Sequence, residues 1–209
     1  MLRYTTISKI SYWEGLPPEG MGNDLDNPSH PSQLYAITRY VDPSWSFLDI
    51  GCANGWTYLA MKNAGMKCIY KGYKGVDIIE KLIAFDKKTY PEVEWDVQDG
   101  ACLAEEDKSW DVAFAKGVLD YLPSFKIGLE EMCRVARKMV IVWFWHGTIT
   151  GESIHKRMIL GNTLYPDYHN RYSREDILKA VPQGWTVEAF VTEIPDLKSG
   201  STYLVIKKV

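Results

Sequence analysis

Three acidic residues sit where apolar runs give way to turn chemistry: Asp49, Asp77 and Asp99. Carboxylates at the carboxyl ends of successive strands can accept hydrogen bonds from ribose hydroxyls, an amino group or an exocyclic amine. The first stands in Phe47-Leu48-Asp49-Ile50-Gly51-Cys52-Ala53-Asn54-Gly55-Trp56, an apolar strand running into a glycine-bearing turn and then a helical pattern. That order presents a helix N-terminus to a nucleotide-like ligand. A dinucleotide fingerprint would place its glycines at 51, 53 and 56, and Trp56 is a poor substitute for the one that permits close helix–strand packing. No Gly-Lys-Ser/Thr follows, so a P-loop is excluded. What remains suits a ligand with a ribose and a charged amino-acid tail. Asp77 lies 22 residues past Gly55, placed for the ribose hydroxyls. Its competing role is to cap the next helix, and the two roles can coexist. For Asp99-Gly100 the competing reading is an ordinary turn.

The elements that must position these residues follow from hydrophobic spacing. Strands are expected over 46–50, 71–76, 93–97, 110–115 and 138–145, the last a continuous apolar run of the kind buried on both faces. Helices are expected between them, over 55–64 with Trp56, Leu59, Ala60 and Ala64 inward, over 78–90 with Ile78, Ile79, Leu82, Ile83 and Phe85 inward, and over 123–136. A short helix from Pro31 precedes them. Strand–helix alternation points to a parallel α/β sheet. Ser173 with Glu175 and Asp176 opens a further helix, and 185–194 with 201–208 reads as a closing antiparallel strand pair.

The stretch Asp49-Ile50-Gly51-Cys52-Ala53-Asn54-Gly55 resembles motif I of the class I S-adenosylmethionine-dependent methyltransferases. The usual form is D/E-x-G-x-G-x-G, so Ala53 replaces the middle glycine with the next smallest residue. The resemblance is strong over 33–145, weaker over 173–209, and says little about 1–30 and 146–172. It implies an α/β, Rossmann-like three-layer sandwich whose mostly parallel seven-stranded sheet has an antiparallel C-terminal strand. It implies S-adenosylmethionine as cofactor, with S-adenosylhomocysteine as product. In that family the acid matching Asp77 binds ribose, with Ile78 packing on the adenine. The acid matching Asp99 contacts the adenine amino group, where Gly100 would let a backbone N–H approach the ring. Asp49 orients the methionine amino group, directly or through water. The resemblance implies that Gly51, Cys52, Ala53, Asn54 and Gly55 form the turn around the cofactor, with Gly51 and Gly55 giving backbone room and Asn54 either contacting the carboxylate or simply forming the turn. Lys116 occupies a position whose backbone lines the pocket.

The acceptor side carries no fixed motif, because methyl transfer needs orientation and desolvation and only sometimes a base. His146, after the fifth strand, is the leading candidate base, with a backbone-bonded loop histidine as the competing reading; Asp120 and Tyr121 are weaker candidates. The spacings of His146, His155 and His169 match no standard metal site, so no metal is expected. One domain is expected over 1–209, divided into an N-terminal lid or extension at 1–30 with Tyr12 or Trp13 at its edge, a cofactor-binding core at 31–145, an acceptor-side insertion at 146–172 and the closing helix and strand pair at 173–209. A formal charge of −3 argues against a broad nucleic-acid surface, and a small-molecule acceptor is preferred. The four cysteines form no CxxC pair, no signal peptide opens the chain and no run spans a bilayer, which fits a cytoplasmic protein with no membrane association. Nothing in the sequence sets the oligomeric state. A non-catalytic cofactor-binding partner subunit is the rival class, and a nicotinamide-dependent oxidoreductase is disfavoured by Trp56.

Overall fold

Short apolar runs become strands and amphipathic runs become the helices that cover them. The computed structural model describes residues 15, 17–18, 31–67, 72–144, 157–160, 163–168, 170–191 and 202–209. Its strands are β1 (Phe47–Ile50), β2 (Tyr73–Asp77), β3 (Glu94–Val97), β4 (Trp110–Lys116), β5 (Ala136–Phe144), β6 (Arg157–Leu160), β7 (Thr163–Tyr168), β8 (Trp185–Val191) and β9 (Thr202–Lys208). Its helices are α1 (Pro31–Tyr40), α2 (Trp56–Asn63), α3 (Glu80–Thr89), α4 (Phe125–Val135) and α5 (Arg174–Lys179). Seven strands form one sheet in the order β3-β2-β1-β4-β5-β9-β8. The first five are parallel to their neighbours, and β9 runs antiparallel to both β5 and β8. The chain order therefore reverses between β1 and β4, which is the switch point where such sheets bind ligands.

Both faces of the sheet are covered. One packs Leu48, Ile50, Val140 and Val142 against Leu129, Met132 and Val135 of α4. The other packs Phe47, Phe114 and Ile141 with Ile37 of α1 and Met61 of α2. This second face carries an aromatic cluster in which Tyr58, Tyr73, Tyr90 and Trp95 lie with ring centroids 5.3–6.1 Å apart.

Three expectations change. In α2 the inward residues are Thr57, Tyr58, Ala60 and Met61, while Leu59 is half-buried and Ala64 is exposed. The face is rotated because Tyr58 sinks its ring into the aromatic cluster and keeps its hydroxyl on Glu92 at 2.7 Å. In α3 the buried positions are Leu82, Ile83 and Asp86, Phe85 is half-buried, and Ile78 precedes the helix in the connection from β2. Within 146–172, Arg157–Leu160 and Thr163–Tyr168 form a separate antiparallel pair that the sequence reading did not contain. Ser173 does cap α5, its side chain accepting from Asp176 N–H at 3.1 Å.

Candidate active site

The turn between β1 and α2 is built from three left-handed residues in alternation, Gly51 (φ 71), Ala53 (φ 53) and Gly55 (φ 72). At Gly51 a side chain is also excluded by space, because an added Cβ would lie 2.1 Å from Val118 Cγ2. Ala53 pays a steric cost of roughly 1–2 kcal/mol for the conformation that glycine adopts freely. The alternation folds the chain back so that Gly51 and Cys52 N–H both reach the Val76 carbonyl, at 2.7 and 3.1 Å. This joins the turn to the end of β2 and to Asp77.

Asp49 is fully buried in β1. Its Oδ2 accepts from the Tyr73 hydroxyl at 2.5 Å, and its Oδ1 has no hydrogen-bond partner among the described residues. Burial raises its pKa to about 7, against the opposing pull of the Tyr73 and Thr57 hydroxyls. Asp77 ends β2, with Oδ2 accepting from Ala53 N–H at 3.0 Å and Oδ1 from Ile79 N–H at 2.9 Å. Burial raises it to about 6, with those backbone donors working the other way. Its second bond closes a turn ahead of α3, whose N-cap is Ile79 and which has no side-chain cap bond, so Asp77 is not the cap considered for it; each oxygen keeps a further lone pair for a ribose hydroxyl. Asp99 lies two residues past β3, half-buried, with Oδ1 on Ala101 N–H at 2.8 Å, so the turn expected at Asp99-Gly100 is present. Gly100 sits where an added Cβ would come 3.1 Å from Ile50 Cγ2. Ile78 packs with Ala53, Ile79 and Leu82 beside the turn.

Asp86 was not anticipated. It lies on the buried face of α3 beneath the turn, where Oδ2 accepts from the Cys52 thiol at 3.8 Å and Oδ1 has no partner among the described residues. Burial, then the charges of Asp77 and Asp49, raise it to about 8. Its signal was available: it falls three and four residues after Ile83 and Leu82 on the apolar stripe. Asn54 is buried as well, its Nδ2 donating to the Pro18 carbonyl at 3.3 Å and its Oδ1 lacking a partner among the described residues. That bond brings the N-terminal segment onto the turn.

On the other side of the switch point, Lys116 ends β4 with Nζ 4.5 Å from the Trp56 ring centroid and 4.8 Å from that of Trp143. Asp120 and Tyr121 lie in a 3₁₀ turn, Leu119–Tyr121, and both are buried. Asn170 N–H donates to the Asp120 carbonyl at 2.8 Å and its Nδ2 to the Leu122 carbonyl at 2.8 Å, while the Tyr172 hydroxyl donates to the Leu119 carbonyl at 3.2 Å. Asn170 and Tyr172 are thus tied to that turn. Tyr12, Trp13, His146, His155 and His169 lie outside the described residues. Among the described residues, no group of three His, Cys, Asp or Glu could hold a metal ion.

A parallel sheet with a switch-point turn, a buried acid at its edge and further acids at the next two strand ends defines the Rossmann-like class that binds nucleoside ligands. Residues 48–144 match the family model of the methyltransferase domain. The fold is similar to that of a Pyrococcus horikoshii OT3 protein (16% identity, 95% of this chain and 99% of that one, TM-score 0.70). It is also similar to the Haloferax volcanii protein that forms a complex with the Trm112 methyltransferase activator (15%, 95% and 95%, 0.67). A third is the magnesium protoporphyrin IX methyltransferase of Synechocystis PCC 6803, solved with bound S-adenosylhomocysteine (16%, 86% and 81%, 0.59). No curated protein sequence matches. The match to the methyltransferase domain covers residues 48–144, and the fold around it is shared with S-adenosylmethionine-dependent methyltransferases, which points to S-adenosylmethionine as the cofactor.

The residues present fit that cofactor. Asp49 Oδ1 is a buried, unsatisfied acceptor, which in a closed protein interior costs free energy unless a donor arrives, and an amino group is such a donor. Among the described residues no helix is long and apolar enough to cross a membrane.

Proposed function

We propose that this methyltransferase acts on a small or medium-sized acceptor, at oxygen or nitrogen, in a cleft between the Gly51–Gly55 turn and the segment from Lys116 to Tyr121. The observation that carries the reading is Asp49, buried beside the left-handed turn with one oxygen unsatisfied. When bound, S-adenosylmethionine supplies a methyl group activated by its sulfonium sulfur. The protein's part is to bind, orient and exclude water. Asp49 holds the cofactor's amino group. Asp77 takes the ribose hydroxyls, Ile78 lies against the adenine, and Asp99 with Gly100 meets the adenine edge. Gly51, Cys52, Ala53, Asn54 and Gly55 wrap the amino-acid tail, with the backbone at Lys116 closing the opposite wall. His146, Asp120 and Tyr121 are the candidates for removing a proton from the acceptor.

A small acceptor is supported by charge: across 50–55, 77–79, 97–102 and 116–121, Lys116 is the one lysine or arginine, where a nucleic-acid surface would need several. Residues 1–30 act as a lid and 146–172 as the acceptor-side wall of a single domain, supported by the Asn54–Pro18 bond and by the Asn170 and Tyr172 bonds to the 3₁₀ turn. The three described cysteines are free thiols, in keeping with a cytoplasmic setting. Titration calorimetry with S-adenosylhomocysteine and with NAD tests the cofactor site: S-adenosylhomocysteine should bind and NAD should not. NAD binding without S-adenosylhomocysteine binding would overturn the proposal.

A further inference from the structure

We propose that Tyr73 is a positioning residue for cofactor capture: its hydroxyl fixes one oxygen of Asp49 so that the other faces the cofactor's amino group. The inference rests on the methyltransferase reading, in which Asp49 holds that amino group, and adds the residue that aims it. β1 and β2 are parallel neighbours with Phe47 opposite Tyr73 and Asp49 opposite Gly75. Alternation along the strands puts these four residues on one face of the sheet. Opposite Asp49 there is thus no side chain, and none fits, because a Cβ at Gly75 would lie 2.2 Å from Trp95 Cζ3 and 3.0 Å from Cys52 Sγ. The carboxyl is reached instead from two residues back along β2, where the Tyr73 hydroxyl donates to Oδ2 at 2.5 Å.

The ring that carries this hydroxyl is held on three sides. It stacks on Phe47 with centroids 5.7 Å apart and planes 6° from parallel. It meets Tyr58 at 5.3 Å and Trp95 at 5.8 Å. A phenylalanine could make all three contacts. What tyrosine adds is a donor, and a buried donor needs an acceptor, which Asp49 supplies. Burial, then the charge of Asp49, raises the phenol well above its ordinary pKa, so it stays protonated and goes on donating. The two oxygens of a carboxyl group stand in fixed relation. A bond that fixes Oδ2 therefore also fixes Oδ1, the buried oxygen with no partner among the described residues.

The same hydroxyl acts on charge. An ammonium is best met by an ionised carboxyl, whereas burial favours the neutral form. The Tyr73 hydroxyl, and after it the Thr57 hydroxyl on the first turn of α2, oppose that effect of burial at Asp49. Of the charged groups that face Asp49, Asp77 of β2 raises its pKa and Lys116 of β4 lowers it, each more weakly than either hydroxyl. Asp86 of α3 and Cys52 of the turn feel the Asp49 charge in their turn.

The test uses the full chain and two probes in titration calorimetry, S-adenosylhomocysteine and its analogue lacking the α-amino group. Wild type should prefer S-adenosylhomocysteine by at least about tenfold, the size of one charge-assisted hydrogen bond. Tyr73→Phe keeps the ring and removes the donor. It should weaken S-adenosylhomocysteine by about tenfold at pH 6.5, leave the deaminated analogue within about twofold, and so abolish most of the preference. The pH at which S-adenosylhomocysteine affinity half-rises should also move upward, because a donor to the charged form is gone. Thr57→Val should change both readouts in the same sense and by less, so the proposal stays testable if one variant fails to fold. Equal weakening of the two probes would make Tyr73 a packing residue and overturn the inference. Unchanged S-adenosylhomocysteine affinity with an unchanged pH midpoint would overturn it as well. Failure of wild type to bind S-adenosylhomocysteine would instead remove the underlying methyltransferase reading.

Discussion

The two walls of the cleft are built in opposite ways. The wall formed by β1, β2 and the turn carries carboxyls driven into the interior, where Asp49, Asp77 and Asp86 are buried and raised to about 7, 6 and 8. The wall formed by β4, β5 and the 3₁₀ turn carries an ammonium held between indoles, and it is tied to a distant segment through Asn170 and Tyr172. The first wall is strained and under-satisfied until a ligand arrives. The two walls thus differ in charge, one holding carboxyls in the interior and the other an ammonium against two rings.

The largest expected effect comes from removing the stored charge. Asp49→Asn should weaken S-adenosylhomocysteine binding by about 10- to 100-fold, the range for a charge-assisted hydrogen bond. The same variant should melt higher than wild type without ligand at pH 8, because it no longer buries an ionising carboxyl. Calorimetry and thermal melts read the two arms, and a variant that loses both affinity and stability would make Asp49 a structural residue. Asp77→Ala should follow, with at least about tenfold weaker binding and a retained fold, since a charged acceptor for two hydroxyls is lost. Normal affinity would leave Asp77 with only its bonds to Ala53 and Ile79.

The pH response should also separate the walls. A carboxyl whose folded pKa is raised favours the folded state below about pH 4, and that contribution is lost as pH rises through the folded value. The ligand-free protein should therefore lose stability between about pH 4 and pH 8, through the shifts of Asp77, Asp49 and Asp86. Cofactor affinity should rise over the part of that window in which Asp49 ionises. The melting-temperature increase given by S-adenosylhomocysteine should be larger at pH 8 than at pH 5.5, and a flat increase would show that the acids do not meet the ligand's charge. The smallest effect is Ala53→Gly. Relief of the left-handed alanine, less the greater freedom of glycine in the unfolded chain, should stabilise the protein by up to about 1 kcal/mol in urea unfolding. Destabilisation would mean that the methyl group packs better than its backbone strain costs.

The cofactor wall was legible in sequence because its parts are local. Asp49 and the turn occupy one stretch, Asp77 closes β2, and Asp99 follows β3 by two residues. The rest depended on contacts distant in the chain. Asp86 looks like one more polar residue before Lys87 and Lys88 until the burial of α3 is known. Tyr58 was passed over in favour of Leu59 because hydropathy ranks a tyrosine below a leucine, while the pocket formed by Tyr73, Tyr90 and Trp95 selects a ring. The β6–β7 pair was hidden by Pro166, a residue that strands accept only at unpaired positions. Nothing local to Lys116 announces Trp143, which lies one strand away.

The position of β9 has a consequence for how this protein is made. It is translated after β8, yet it lies between β5 and β8 in the sheet. Until it emerges from the ribosome, β8 has no strand to pair with, and the apolar edge of β5 from Met139 to Phe144 stays open. An open apolar edge is a template for pairing with another chain. The nascent protein should thus pass through a sticky, incomplete sheet, and insertion of β9 both seals that edge and admits β8. Holdase chaperones would find their target in that interval, and a chain arrested just before residue 202 would be the species to isolate with them.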